Sequence, residues 1–240
     1  MKKHIFIYLV LILIVIASIG MTGCSTRNMF MNPVDPTAIN TNISEEEAAI
    51  VFFKPAARSD NIVSFVWKVE ESGNLKFVTS AIPGVKTLHK TTPGRHLYLA
   101  GGYFMEAELE AGKTYYAYVV RKKTAMSLLV DAARFGVHTG SLVATIVSVG
   151  GVSPFLSTMM HSANLDPYIL VPVSDISSEE FKKTFANTAW HENKTFSHNF
   201  EAERKSVEWR FSKQLKDISA IPPERKILML PEYGTDIPIL

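Results

Sequence analysis

Short apolar segments separated by turn residues follow one another between residues 48 and 121. The first, Ala49 to Lys54, is largely apolar and stops at Pro55, while Ile62 to Val69 alternates in part between apolar and polar residues. Such alternation is the period-2 pattern of a strand with one buried face. Turn residues then recur about every 8–12 positions, which is typical of antiparallel sandwiches. The turns are Ser72-Gly73-Asn74, Pro83-Gly84, Pro93-Gly94 and Ala111-Gly112. The pattern predicts a β-sandwich core over residues 48–121.

An uncharged segment interrupts this β pattern, because no charged residue lies between Arg134 and Asp166. Small residues recur there every four positions, at Ala132, Gly136, Gly140, Ala144 and Ser148. This spacing places them on one face of a helix. Gly150-Gly151 ends the helix and Ser153-Pro154 begins a second one, so residues 122–166 are predicted to form an inserted helical hairpin. The small-residue face suits packing within the protein, membrane dipping or self-association, or a full transmembrane span.

The apolar run after the hairpin predicts a closing strand over residues 167–175. Residues 176–240 are predicted to be a helical C-terminal extension. Its first helix begins at Ser177 and Glu180, which have capping-box spacing, and a second helix covers roughly 197–216. Residues 226–230 are predicted as a final edge strand. We therefore expect a mainly β fold, an antiparallel sandwich with an inserted helical hairpin and C-terminal helices.

The N-terminus has the features of a secretory signal peptide. Lys2 and Lys3 precede an apolar run over residues 5–17, and small or weakly polar residues follow up to Gly23. The alternative is a retained transmembrane anchor, but the run is short for a span of about 20 residues. Residues 1–23 are therefore predicted to be a signal peptide.

The sequence Met21-Thr22-Gly23-Cys24 resembles the bacterial lipobox. The resemblance implies that the Cys24 thiol accepts a diacylglyceryl group and that the α-amino group freed by cleavage is also acylated. Cys24 is thus the predicted lipid attachment site, with a membrane as partner. The residue after Cys24 is Ser25, and bacterial lipoproteins without Asp at this position are usually sorted to the outer membrane. The resemblance therefore implies an outer-membrane location, facing the periplasm, in a Gram-negative cell. Residues 24–47 are polar and rich in turn residues, so they are predicted to be a flexible tether.

The composition narrows the classes of function. The chain has 240 residues, with Lys+Arg 25 against Asp+Glu 23. Such a balance does not favour nucleic-acid binding, which needs a clustered basic excess. Without Lys2 and Lys3 the mature chain has 25 − 2 = 23 basic residues against 23 acidic ones. The single cysteine excludes an internal disulfide and any site built from several cysteines.

Four groups of side chains are candidates for chemistry, and each has a more ordinary explanation. Glu106, Glu108 and Glu110 share one strand face, which period 2 normally exposes to solvent. Tyr115, Tyr116 and Tyr118 fit aromatic strand packing better than ligand stacking. Two sets contain histidines, namely His89 with His96 and His191 with Glu192 and His198. Both are weak zinc signals, because a catalytic site usually has three clear protein ligands. The sequence predicts no catalytic residue, no cofactor site and no metal site.

Four segments together resemble a bacterial lipoprotein family known as domain of unknown function 2846. They are Val51-Phe52-Phe53-Lys54-Pro55, Thr92-Pro93-Gly94-Arg95-His96, Ala111-Gly112-Lys113-Thr114-Tyr115-Tyr116 and the strand Tyr168 to Ser174. Lys54 stands where Arg is commoner in that family. The resemblance covers about residues 48–121 and 167–175, and it implies a small β-sandwich on a lipid anchor with no assigned chemistry.

These patterns together predict a lipid-anchored envelope protein with a non-catalytic binding or scaffolding module. Its partner would be another envelope protein or a second copy of the chain. One alternative is a structural or oligomeric membrane component assembled through the helix 132–148. An enzyme of unknown class is the second alternative.

Overall fold

Eleven strands and three α-helices form the part of the chain that a computed structural model describes, which is residues 30–56, 63–121, 168–194 and 199–236. The strands are β1 (Met31–Pro33), β2 (Ala48–Lys54), β3 (Ser64–Val69), β4 (Leu75–Ala81), β5 (Val85–Thr91), β6 (Gly94–Ala100), β7 (Tyr103–Leu109), β8 (Thr114–Arg121), β9 (Tyr168–Pro172), β10 (Ala189–Asn193) and β11 (Lys226–Met229). The helices are α1 (Glu179–Ala186), α2 (Asn199–Arg210) and α3 (Ser212–Lys216). The prediction of a mainly β fold is confirmed.

The strands form two mixed sheets. The six-stranded sheet has the order β1-β10-β5-β2-β8-β9, and the five-stranded sheet has the order β11-β7-β6-β3-β4. The expectation of purely antiparallel pairing is wrong, because β2 pairs with β8, β5 with β10 and β7 with β11 in parallel. The partners in these pairs are far apart along the chain, so no tight hairpin turn imposes antiparallel directions on them.

Residues of both sheets contribute to one shared core cluster. The six-stranded sheet supplies Ile50, Phe52 and Tyr115, among others, and the five-stranded sheet supplies Tyr98 and Met105. All five side chains are at most 2 % exposed. The alternation of apolar residues in the sequence therefore corresponds to burial on this common side of the sheets.

The helices bury the other side of each sheet. Phe181 and Phe185 of α1 pack against the six-stranded sheet, where the Phe53 ring centroid lies 5.9 Å and 5.6 Å from theirs. Phe211, which directly follows α2, and Leu215 of α3 pack against the five-stranded sheet. They belong to a cluster that includes Trp67. Strands such as β2 and β8 are consequently buried on both faces and appear as nearly continuous apolar runs in the sequence.

One edge strand of the six-stranded sheet, β1, is formed by residues that were expected to belong to a flexible tether. Met31 is fully buried and is paired with Asn193, two residues before the pair of Pro33 with His191. Ile39 packs against the apolar cluster under α1. Residues 31–39 of the predicted tether 24–47 are therefore docked on the sheet, because Met31 and Ile39 remove apolar surface from water.

The segment 176–240, expected to be a helical extension, contributes strands to both sheets. β10 lies between β1 and β5, while β11 forms an edge beside β7 and confirms the strand predicted near 226–230. The N-cap of α1 is Ser178 and not Ser177, since Ser178 Oγ accepts a hydrogen bond from the Phe181 N–H at 3.3 Å. The single helix predicted over 197–216 is divided at Phe211 into α2 and α3.

Several predicted features lie outside the described residues: the signal peptide 1–23, Cys24, and the helical hairpin over 122–166 with its small-residue face. Among the helices that the structure describes, none combines the length and apolar character needed to cross a membrane.

Candidate functional site

A group of polar side chains lies between the two sheets near the β5–β6 connection. His89 belongs to β5 in the six-stranded sheet, whereas His96 and Tyr98 belong to β6 in the five-stranded sheet. The ring of Tyr98 lies near both histidines, with centroid distances of 5.9 Å to His89 and 6.3 Å to His96. Lys68 of β3 donates a hydrogen bond from Nζ to Thr91 Oγ1 at 2.9 Å. Lys68, His89, Thr91, His96 and Tyr98 are called the inter-sheet polar cluster below.

Positive charge dominates the surroundings of His89. Burial, followed by the charges of Lys68, Lys76 and His96, lowers the pKa of His89 to about 4. Burial and the charge of Lys76 also lower the pKa of Lys68, and the opposite charge of Glu70 offsets only part of this lowering. His89 is therefore a neutral imidazole at physiological pH.

Two buried polar atoms of this cluster have no hydrogen-bond partner among the described residues, namely His89 Nε2 and Tyr98 Oη. Tyr98 as a whole is fully buried, and this burial raises the pKa of its hydroxyl far above the ordinary value. The Thr91 hydroxyl lies close enough to lower that pKa slightly, but not in the geometry of a hydrogen bond. Unpaired buried polar atoms are uncommon in folded proteins, so this place is a candidate binding site.

Among the described residues, the histidines named as weak zinc candidates are not brought together as metal ligands. His96 Nε2 is 2.7 Å from the Thr92 carbonyl oxygen, which makes that nitrogen a donor and not a ligand. His191 and Glu192 are successive residues of β10, so their side chains point to opposite faces, and His198 lies outside the described residues. In residues 30–56, 63–121, 168–194 and 199–236, no group of three or more His, Cys, Asp or Glu side chains is placed to hold a metal ion.

The three predicted glutamates have different environments. Glu108 and Glu110 are exposed, as the period-2 pattern predicts, but the side chain of Glu106 is only 13 % exposed. Its two carboxylate oxygens pair with Arg95 of β6 and Lys226 of β11. This ion triad joins three neighbouring strands of the five-stranded sheet, which is a structural role.

The three predicted tyrosines of β8 are all buried and serve as core residues. The Tyr115 hydroxyl accepts a hydrogen bond from the Glu110 N–H at 2.9 Å and donates to the Pro231 carbonyl at 3.3 Å. Tyr116 lies 5.1 Å from Phe181 and Tyr118 lies 4.3 Å from Phe53, measured between ring centroids. None of these rings is available as a surface for stacking a ligand.

Buried lysines were missed by sequence reasoning. Lys86 is 5 % exposed and donates from Nζ to the Phe185 carbonyl at the end of α1, at 2.9 Å. The same Nζ lies 3.9 Å from the Phe185 ring centroid, and burial lowers the pKa of Lys86 to about 8. Lys54 is 1 % exposed, with Nζ 3.7 Å from the Tyr168 ring centroid. The available signal was a lysine within an otherwise apolar strand, as in the segment of Lys54.

A cavity of about 320 Å³ lies between α2 and the five-stranded sheet. Phe65, Trp67 and Leu99 line its sheet side, together with the turn Gly101-Gly102. From the helical side it is lined by Glu203, Ser206, Val207, Arg210 and Phe211. The volume is near the lower limit for a small-molecule pocket, and most of the α2 side chains around it are exposed to solvent.

No family model, curated protein or solved structure matches the chain in comparisons with known proteins. The resemblance to the family of domain of unknown function 2846 therefore stays a prediction.

Proposed function

We propose that this protein is a lipid-anchored component of the bacterial cell envelope, with a β domain that acts as a non-catalytic binding or scaffolding module. The observation that carries the proposal is Met21-Thr22-Gly23-Cys24, which follows a charged start and an apolar run. Several acyl chains at Cys24 would hold the protein on a membrane, because two lipid chains anchor stably where one does not. Ser25 favours the outer membrane over the inner one.

The two sheets are proposed to be the layers of a β-sandwich. Support comes from the core cluster to which both sheets contribute, with Phe52 of one sheet and Tyr98 of the other at a ring-centroid distance of 5.6 Å. Sandwich domains carry many unrelated functions, so a role has to be argued from a particular site. The inter-sheet polar cluster is the feature that supports a binding role.

The docking of β1 limits how far the β domain can lie from a lipidated Cys24. Cys24 and Met31 are 31 − 24 = 7 positions apart, and a fully extended chain covers at most about 3.6 Å per residue, or ~25 Å in all. A flexible tether of ~20 residues would have a similar distance as its root-mean-square reach and could extend further. For the shorter linker between Cys24 and Met31, this distance is the maximum. We expect the β1 edge of the six-stranded sheet to stay within this distance of the bilayer surface.

Metabolic labelling tests the anchor. Cells that express the full chain are grown with an alkyne analogue of palmitate, and the protein is then coupled to a fluorophore. We expect labelling of the wild type and of Ser25→Ala, and loss of labelling in Cys24→Ser, which has a hydroxyl in place of the acylated thiol. Labelling that persists in Cys24→Ser would contradict lipid attachment at this residue.

Membrane fractionation tests the location in a Gram-negative host. The wild type should be found with outer-membrane vesicles on a density gradient, and Ser25→Asp should move to the inner membrane while it keeps its label. If both proteins are found in the same fraction, the sorting part of the proposal is wrong and the anchor is judged by the labelling alone.

A further inference from the structure

The donors of the inter-sheet polar cluster exceed its acceptors. Lys68 Nζ has three N–H groups and uses one on Thr91, while the Tyr98 hydroxyl has a proton and no partner. In the tautomer with a proton on Nε2, His89 adds another unpaired donor. A molecule that satisfies these groups must offer several acceptor atoms in a small volume.

The charge of the cluster favours an anion. The charges that act on His89 come chiefly from Lys68 and Lys76, since burial lowers the pKa of His96 itself, and the groups that shift the pKa of His89 do not include a carboxylate. Glu70 acts on Lys68 from the end of β3, opposed by Lys76. A water molecule would pair with some of the donors but would leave the positive charge without compensation, whereas an oxyanion would do both.

The cluster is partly exposed at one end and closed by an aromatic ring at the other. Lys68, His89, Thr91 and His96 are each only partly buried and lie on strands that flank or face the connection between β5 and β6. At the inner end, the Phe52 ring centroid lies 6.3 Å from His89 and 5.6 Å from Tyr98, which closes the site with an aromatic wall. This wall limits a ligand group that meets these donors to a small one.

We propose that the inter-sheet polar cluster binds a small oxyanion group, a carboxylate or a phosphate, with Lys68 Nζ supplying the charge and Tyr98 Oη and His89 Nε2 donating hydrogen bonds. The inference rests on the proposed binding role of the β domain, but it does not depend on lipidation of Cys24. If the palmitate labelling fails, the proposal of an anion site is unaffected. If anion binding is not observed, the proposal of a lipid anchor is unaffected.

Anion titration of the full chain, purified in detergent and in chloride buffer, tests the site. Acetate and inorganic phosphate are added separately, and binding is followed by the shift of the thermal denaturation midpoint and by the nitrogen resonances of the histidine side chains. We expect saturable binding of at least one of the two anions, with a change of the His89 resonances. The anion that binds more tightly identifies the group as a carboxylate or a phosphate.

Two variants remove single donors. Tyr98→Phe deletes only the unpaired hydroxyl, and Lys68→Met deletes the charge but keeps much of the side-chain volume. Each should weaken anion binding at least tenfold, because a hydrogen bond to a charged group contributes about 1.5–3 kcal/mol. Tyr116→Phe makes the same chemical change in a buried tyrosine outside the cluster, and it should bind as the wild type does.

The opposite results would overturn the inference. They are the absence of saturable binding of either anion, or equal affinity in Tyr98→Phe, Lys68→Met and the wild type. A loss of stability in Tyr98→Phe without any anion effect in the wild type would mean that the cluster holds water only. Because Tyr98 Oη has no partner to lose among the described residues, Tyr98→Phe should fold, and Lys68→Met gives an independent measurement.

Discussion

Gly73, in the turn between β3 and β4, lies directly against the backbone carbonyl of Leu215 in α3. A Cβ atom at position 73 would be 2.6 Å from the Leu215 oxygen, closer than real Cβ contacts allow. Gly73 also has a φ of +80°, a conformation that glycine adopts without steric cost. Nearby, the Leu75 N–H donates to Glu208 Oε1 of α2 at 3.2 Å. This end of the five-stranded sheet is thus in contact with both C-terminal helices.

Replacement of Gly73 by alanine should destabilise the protein through two effects. The positive φ costs about 1–2 kcal/mol for a residue with a Cβ, and displacement of the Leu215 carbonyl should add roughly 1–3 kcal/mol. Gly112→Ala is the matched control, because Gly112 has a φ of +74° and a Cβ there would meet nothing within 4 Å. Urea denaturation of both variants gives the difference, and equal losses would mean that α3 does not hold the turn.

Lys86 should make stability depend on pH in the alkaline range. Its folded-state pKa is about 8, against 10.5 for the unfolded chain, so the unfolded chain binds more protons between these values. Stability should therefore rise as the pH increases from 8 towards 10.5, and the buried charge should be most unfavourable below pH 8. The free energy of unfolding at several pH values measures this dependence.

Lys86→Met should remove that pH dependence, because methionine keeps an unbranched apolar chain without the titrating amine. Lys183→Met, on the exposed face of α1, is the control and should follow the wild type. Buried tyrosines also titrate at high pH, but their contribution is common to all three proteins. A difference between wild type and Lys86→Met that stays constant from pH 7.5 to 9.5 would contradict the expected shift.

Glu106 and Glu108 should respond differently to the same substitution. Glu106→Gln leaves Arg95 and Lys226 facing a neutral amide in a largely buried place, and we expect a loss of about 2 kcal/mol. Glu108 is exposed and lies opposite Arg95 in the strand register. Glu108→Gln should change stability by less than about 0.5 kcal/mol. Chemical denaturation distinguishes the two, and similar values would mean that the triad adds nothing beyond a surface ion pair.

His89 should weaken the fold on acidification in buffers without oxyanions. Because its folded pKa is about 4 and the ordinary value is 6.5, the unfolded chain takes up a proton first as the pH falls. Stability should decrease between pH 6.5 and 4, by at most about 3 kcal/mol at 1.36 kcal/mol per pKa unit. His89→Gln should lose less stability than the wild type over this range. Parallel pH profiles of the two proteins would exclude His89 as the cause.

The sequence predicted where strands lie better than which strands pair. Turn residues mark the ends of β5 and β6, so the strands of His89 and His96 could be located, but the pairing of these strands could not. The two strands belong to different sheets, and the ring of Tyr98 lies near both histidines. Periodicity assigns a residue to one face of a strand, but the partner strand is chosen by long-range contacts.

The same dependence on long-range contacts explains why the burial of Lys86 and Glu106 was not predicted from the sequence. A lysine or glutamate in a strand is expected to face solvent, yet Lys86 is covered by α1, which comes about a hundred residues later in the sequence. Glu106 is covered because β11, near the C-terminus, brings Lys226 beside it. Met31 was assigned to a tether for a related reason, since its partner strand β10 could not be recognised from the polar sequence around it.

The late strands β10 and β11 also bear on when the chain can fold. Without β10, strand β1 has no partner strand in the six-stranded sheet and one edge of β5 is unpaired. Without β11, one edge of β7, the strand of Glu106, is unpaired in the five-stranded sheet. Both strands belong to the last fifty-two residues of the 240, counted from Ala189. Contacts between distant parts of a chain form slowly, and here they also wait until the residues from Ala189 onwards have been synthesised. A chain that cannot complete either sheet until the segment after Ala189 is present keeps the edges of β1, β5 and β7 unpaired for longer.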